Sequence, residues 1–163
     1  MFATKTPAGE GADVMLVCST GGHLLQLLAL RPAWEDRRRI WVTHANSDAM
    51  SLLDDERVEY AYSPTTRNLK NLVRNLFLAR RVLAREKPRV LITTGAGVAV
   101  PFAWLARLRG VRIVYVESIT RVNRLSLSAR LIAPIADRLY VQWPELAETH
   151  HGARYHGNLL AVE

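Results

Sequence analysis

The sequence predicts an α/β domain: a doubly wound, mainly parallel, Rossmann-like sheet. Three observations carry this. Short apolar runs alternate with segments of helical periodicity along the chain. The runs are apolar at every position rather than at every second one, as strands buried on both faces are. Glycine turns follow the first and the fourth run, where strand passes into helix.

Each element has its own signal. Val14-Met15-Leu16-Val17-Cys18 reads as a buried strand closed by the Ser19-Thr20-Gly21-Gly22 turn. His23 to Arg31 carries Leu24, Leu27 and Leu28 at helical spacing, and Pro32 stops it. Arg39 to Thr43 is a second strand, Asp48 to Leu53 a short helix, and Val58 to Tyr62 a third strand. Arg67 to Lys87 is a long helix ended by Pro88. Val90 to Thr94 is a fourth strand, followed by Gly95-Ala96-Gly97. Val98 to Leu108 is a helix with Gly110 at its C-terminal cap. Arg112 to Val116 is a fifth strand, Ser126 to Ile135 a helical stretch, and Leu139 to Gln142 a sixth strand.

A chain of 163 residues makes one domain, expected over residues 13–163, with 1–12 a loose leader. Apolar residues at 49% and charged residues at 23% are ordinary globular usage, which excludes collagen, coiled coil and low-complexity disorder. No apolar run approaches the ~20 residues of a membrane-spanning helix. The N-terminus lacks the basic-then-apolar order of a signal peptide, so a cytoplasmic location is expected. Cys18 is the only cysteine and reads as inert packing.

The net charge of +7 is unevenly spread. Between Pro64 and Val90 eight basic residues face one acid, and between Pro101 and Arg130 six face one. This asymmetry fits a polyanionic partner, or a solvated arginine-rich face. Aromatic residues are only 7% and scattered, so no stacking platform for nucleic acid is expected. Along the long helix, Leu69, Leu72, Val73, Leu76 and Leu83 form the expected core stripe. Lys70, Arg74, Arg81 and Arg85 form a basic stripe beside it, with Leu78 and Val82 beyond. Two readings fit: a helix on an anionic bilayer with Leu78 and Val82 inserted, or a wide buried face with a basic flank.

The Ser19-Thr20-Gly21-Gly22 turn and the Gly95-Ala96-Gly97 turn suit a phosphate-binding rim at the carboxyl edge of the sheet. The spacing is not the three-glycine dinucleotide fingerprint, and His44 stands where an acid would follow the second strand. A nicotinamide cofactor is therefore not expected. His23, at the mouth of the crevice, reads as a general base or as a helix-capping or packing histidine. Glu117, the lone acid of a basic segment, reads as a second base, a binder of sugar hydroxyls, or a partner for Arg121 or Arg124. His150, His151 and His156 lack metal-ligand spacing, and no metal is expected.

Several segments together resemble one family. They are Val17-Cys18-Ser19-Thr20-Gly21-Gly22-His23, the run from Gly95 to Pro101, Glu117-Ser118 with Arg121-Val122, and the run from Leu125 to Asp137 ending in Val141-Gln142-Trp143-Pro144-Glu145-Leu146. They resemble the acceptor-side, membrane-anchor subunits of two-component glycosyltransferases, and cover about residues 13–160. Those subunits serve the eukaryotic enzyme that adds the second N-acetylglucosamine to dolichyl diphosphate, and bacterial capsule and exopolysaccharide assembly. The resemblance implies the N-terminal half of a GT-B fold, similar to the peptidoglycan lipid-linked N-acetylglucosaminyltransferase. It implies a separate partner chain that binds the UDP-sugar donor, and an isoprenoid diphosphate-linked acceptor. It implies inverting transfer without cofactor or bound metal, at the cytoplasmic face of the inner membrane. His23 and Glu117 would then be catalytic, and Ser19, Thr20, Gly21, Gly22, Gly95, Gly97, Arg121 and Arg124 would hold the diphosphate. The other reading is a scaffold that recruits the catalytic partner to the membrane.

Overall fold

The structure, a computed structural model, describes residues 11–160. Its strands are β1 (Val14–Val17), β2 (Arg39–His44), β3 (Val58–Ala61), β4 (Val90–Thr93), β5 (Arg112–Val116), β6 (Arg138–Val141) and β7 (Ala153–Tyr155). Its helices are α1 (Gly22–Ala29), α2 (Ser47–Leu52), α3 (Leu69–Glu86), α4 (Ala99–Leu108), α5 (Leu127–Ile132) and α6 (Pro144–Thr149). Single 3-10 turns follow α1 at Arg31–Ala33 and α5 at Ala133–Ile135.

All seven strands pair in parallel, in the order β3-β2-β1-β4-β5-β6-β7. β1 lies between β2 and β4, with Val14 in register with both Arg39 and Val90. The chain winds outward in one direction from β1 to β3, then crosses back to β4 and continues the other way. The crossover leaves a crevice outside the carboxyl ends of β1 and β4, where open parallel sheets bind ligands.

The sheet is covered on both faces, which is why its strands are uniformly apolar. On one face Met15, Val17, Val42, Leu91 and Ile113 pack against Leu78, Ala79, Val82 and Leu83 of α3, Phe102, Ala103 and Ala106 of α4, and Ala129 and Ile132 of α5. On the other, Leu16, Cys18, Trp41 and Ile92 meet Leu24 and Leu27 of α1, Trp34, and Ala49 of α2. Trp34 sets its ring edge-on to Trp41 and donates its Nε1–H to the Leu27 carbonyl, so this polar atom is satisfied in the core.

The order and type of the sequence-predicted elements hold, with three differences. β7 and α6 were not expected. The long helix starts at Leu69, capped by the Asn68 side chain, which leaves Arg67 in the preceding loop. Its end is a left-handed Lys87.

The α3 core stripe is corrected. Leu69 (75% exposed), Leu72, Val73, Leu76 and Phe77 (64%) face outward. Leu78 (5%) and Val82 (0%) are core residues and cannot insert into a bilayer; of the expected stripe only Leu83 is buried. The buried side of α3 also holds two asparagines. The Asn75 amide bonds the N–H and carbonyl of Tyr62, and Asn71 donates to the Pro64 carbonyl.

The expected loose leader lies outside the described residues over 1–10. Ala12 is buried in the core, and Gly11 sits against the Glu86 carbonyl, where a Cβ would collide.

Candidate functional site

The crevice at the crossover is a cleft of about 510 Å³. His23 enters it from α1, Ala96, Gly97 and Val100 from the turn after β4 and α4, and Thr65, Thr66 and Arg67 from the loop before α3. Ser118, Thr120, Arg121, Ser126, Leu127, Ser128 and Leu131 form the remaining wall. The mouth is thus cationic and rich in hydroxyls, with one apolar side.

His23 is held by a reciprocal pair of bonds. Its Nδ1–H donates to the Thr94 carbonyl at 2.7 Å, and the Thr94 hydroxyl donates to the His23 carbonyl at 2.7 Å. A carbonyl only accepts, so Nδ1 carries the hydrogen and the neutral ring has its lone pair on Nε2. This is the tautomer a general base needs, fixed by the chain itself.

Glu117 is placed differently from the expectation. It is fully buried at the end of β5 and does not line the cleft. One carboxylate oxygen accepts from the Ser118 N–H at 2.8 Å and the Ser126 hydroxyl at 3.1 Å, and the other from the Ser126 N–H at 2.7 Å. Both of its oxygens are held by this loop, and it closes residues 118–126, the wall of the cleft, like a clasp. That replaces its assignment as a base, a binder of sugar hydroxyls or a partner for Arg121 or Arg124.

Two buried glutamines brace the same loop. The Gln26 carbonyl oxygen accepts from the Ile119 N–H at 2.9 Å and from the Gln142 amide at 2.7 Å. Gln142 also donates to the Glu117 carbonyl and accepts from the Leu159 N–H.

The glycine turns divide by role. Gly95 has φ +102 and is buried, and a Cβ there would collide with the Tyr115 hydroxyl. That hydroxyl bonds Ser126 and Ser128, and burial, then the Glu117 charge, pushes its pKa up to about 12. Packing alone therefore requires glycine at position 95. Gly97 lies in the cleft beneath Thr65. Gly21 and Gly22 are exposed at the start of α1, next to His23, and Ser19 and Thr20 are half-buried before them. None of these four lines the cleft, nor does Arg124. Of the residues expected in the site, the cleft unites His23, Gly97 and Arg121.

Sequence reasoning missed Thr65, Thr66, Arg67, Ser126 and Ser128. The available signal was Thr-Thr-Arg directly before an asparagine cap, and Ser-x-Ser at a helix start. Burial also pushes the Cys18 thiol up to about 12, in keeping with inert packing. Among the described residues no three His, Cys, Asp or Glu side chains are grouped to hold a metal ion.

A doubly wound parallel sheet with its cleft at the crossover defines a Rossmann-like domain of the type that forms one half of a GT-B enzyme. The structure of MurG from Acinetobacter baumannii matches with TM-score 0.71 and 16% identity, over 88% of this chain and 45% of that one. UDP-N-acetylglucosamine 2-epimerase from Rickettsia bellii matches with TM-score 0.67 and 16% identity, over 90% and 45%. The chain therefore spans less than half of either molecule, and two different named proteins share its fold. Sequence narrows the class further. Residues 57–159 match the family described as oligosaccharide biosynthesis protein Alg14 like, and the chain belongs to that family. It is 31% identical to the UDP-N-acetylglucosamine transferase subunit ALG14 of Yarrowia lipolytica, over 94% of this chain and 84% of that one.

Proposed function

We propose that this chain is the acceptor-side subunit of a heteromeric, sugar-nucleotide-dependent glycosyltransferase. It presents an isoprenoid diphosphate-linked sugar to a partner chain that binds the UDP-sugar. The observation that carries this reading is His23. Its Nε2 lone pair is set free by the Thr94 carbonyl, in a cleft walled by arginines and hydroxyls. Family membership and the name of the Yarrowia relative support it.

In the transfer step His23 Nε2 takes the proton of the acceptor hydroxyl. The hydroxyl oxygen bonds to the anomeric carbon of the donor sugar, with inversion. The bond from that carbon to the diphosphate breaks, and its electron pair leaves on the nucleotide. The cationic wall holds the diphosphate of the acceptor, and arginine has the fork geometry for phosphate. The product belongs to a lipid-linked glycan, in capsule or exopolysaccharide assembly.

The chain acts at the cytoplasmic face of the inner membrane, and the corrected α3 supplies the contact. Leu69, Leu72, Val73, Leu76 and Phe77 form an exposed apolar stripe at helical spacing. Lys70, Arg74 and Arg81 flank it, and Arg80 follows on the same exposed side. The only acid of the helix, Glu86, is buried and paired with Arg57 and Arg85. Arg85 is further held by Glu59, which removes it from the expected basic stripe. A purely cationic surround of an apolar face is complementary to an anionic bilayer. Among the described residues no helix is long and apolar enough to cross a membrane.

The decisive experiment is transfer from UDP-N-acetylglucosamine to an isoprenyl diphosphate-linked sugar by the chain co-purified with its partner. Turnover that needs both chains and collapses in His23→Ala, with the complex intact, supports the reading. Turnover by the partner alone, or normal turnover in His23→Ala, overturns the catalytic role and leaves a scaffold.

A further inference from the structure

Among the described residues, three non-glycine residues hold a left-handed backbone: Arg67 (φ 51°), Lys87 (φ 48°) and Ala96 (φ 72°). Lys87 ends α3, a common place for that conformation. The other two line the cleft, on opposite sides of the contact between Thr65 and Gly97. Strained residues persist where the surroundings over-determine them, and they gather at binding sites.

The segment around Arg67 is over-determined in this way. The Pro64 carbonyl is held at 2.9 Å by the Asn71 amide, and the Asn68 side chain caps α3 by accepting from the Asn71 N–H at 2.9 Å. Thr65 packs onto Gly97 so closely that a Cβ there would lie 3.0 Å from its hydroxyl. Arg67 is thus pinned from both ends in a conformation that glycine or asparagine would adopt more easily.

The side chain held at this strain has no partner. Arg31, Arg39, Arg85 and Arg107 each bond a carboxylate. Arg67 and Arg121, the two arginines of the cleft, make no side-chain hydrogen bond or ion pair among the described residues. The nearest acid in sequence to Arg121, Glu117, spends its oxygens on Ser118 and Ser126. Two unpaired guanidiniums in one cleft, one of them on a strained backbone, are arranged for an anion with several oxygens.

We propose that Arg67 is a second diphosphate-binding residue, which holds the diphosphate of the acceptor together with Arg121 from across the cleft. This rests on the acceptor-side reading above. The strain at position 67 is the stability given up to keep the guanidinium there, so stability and binding should move in opposite directions when it is replaced.

The test uses the purified chain, titrated in a calorimeter with inorganic pyrophosphate and with farnesyl diphosphate, alongside thermal melts. Arg67→Gly and Arg67→Gln should each weaken binding of both probes at least ten-fold. Arg67→Gly, which relieves the backbone, should melt at a higher temperature than the wild type. Arg67→Lys should recover part of the affinity. Pyrophosphate binding equal to that of farnesyl diphosphate places recognition in the diphosphate; much tighter farnesyl diphosphate adds the lipid as a second contact, and either result supports the assignment when Arg67→Gly loses affinity. Wild-type binding that is unchanged in Arg67→Gly and lost in Arg121→Gln overturns the proposal and leaves the acceptor-side reading standing. A wild type that binds neither probe overturns both. A lower melting temperature for Arg67→Gly, with affinity retained, shows that the arginine is structural and also overturns the proposal.

Discussion

His23 and Glu117 show what a residue's neighbours decide. Both were visible in the sequence, one after a glycine turn and one as a lone acid, but their surroundings were not. The Thr94 carbonyl, distant in sequence, fixes the His23 tautomer with its hydrogen on Nδ1, whereas Ser118 and Ser126 fold the loop over Glu117. His23→Ala should therefore lower turnover of the two-chain enzyme about 10²–10⁴-fold, the usual cost of losing a general base. Its melting temperature should stay near that of the wild type. A lowered melt with near-native turnover would mark it as a packing residue. Asp137 gives a second prediction at this scale. The Ile113 N–H donates to it at 2.8 Å, and with the Arg107 guanidinium beside it this holds its carboxyl below the usual range. A depressed folded-state pKa means stabilisation that is complete above the ordinary Asp value of about 3.9 and lost as pH falls through the lower folded value. Asp137→Ala should melt below wild type at pH 7, and the gap should narrow in melts below about pH 3.9. A gap independent of pH would show that the charge has no part in it.

At the scale of an element, α3 shows where sequence pattern stops. Its existence and length follow from periodicity, but its orientation does not, because its surface carries two apolar stripes. The stripe chosen from sequence is the outward one. Asn71 and Asn75 look like solvent residues, yet they are buried and satisfied by the backbone of the loop after β3. A polar residue on the core face is invisible to a hydrophobic pattern when its partner is a carbonyl from another element. The corrected orientation separates two substitutions. Leu78→Ala should destabilise the fold by about 2–5 kcal/mol, as truncation in a packed core does, without altering lipid affinity. Leu76→Glu with Phe77→Glu should leave the melt near wild type and weaken co-sedimentation with anionic vesicles. Withdrawing two large side chains from lipid is worth about 1.5–3 kcal/mol each. Vesicle binding retained by the double variant would remove α3 from the membrane contact.

The whole molecule was the most legible level. Fully apolar strands alternating with helices specify a parallel sheet, and right-handed crossovers leave few strand orders for it. β7 escaped because Ala153-Arg154-Tyr155 is three residues on an exposed edge, and α6 because Pro144 to Thr149 has one buried apolar residue, Leu146. The architecture supplies the crevice edge of β1 and β4 but less than half the length of the solved molecules of like fold. The proposed division of labour makes a direct thermodynamic prediction. A ligand that binds only the folded protein stabilises it by about 2.7 kcal/mol at a hundred times its Kd. If the acceptor diphosphate belongs to this chain and the sugar nucleotide to its partner, the two ligands should act on different species. Pyrophosphate or farnesyl diphosphate should raise the melting temperature of the purified chain, while millimolar UDP-N-acetylglucosamine should leave it within error. UDP-N-acetylglucosamine should raise the melting temperature of the complex. A shift of the isolated chain by UDP-N-acetylglucosamine that matches the shift by the diphosphates would mean that the cleft is itself a nucleotide site, and the division between acceptor and donor chains would fall.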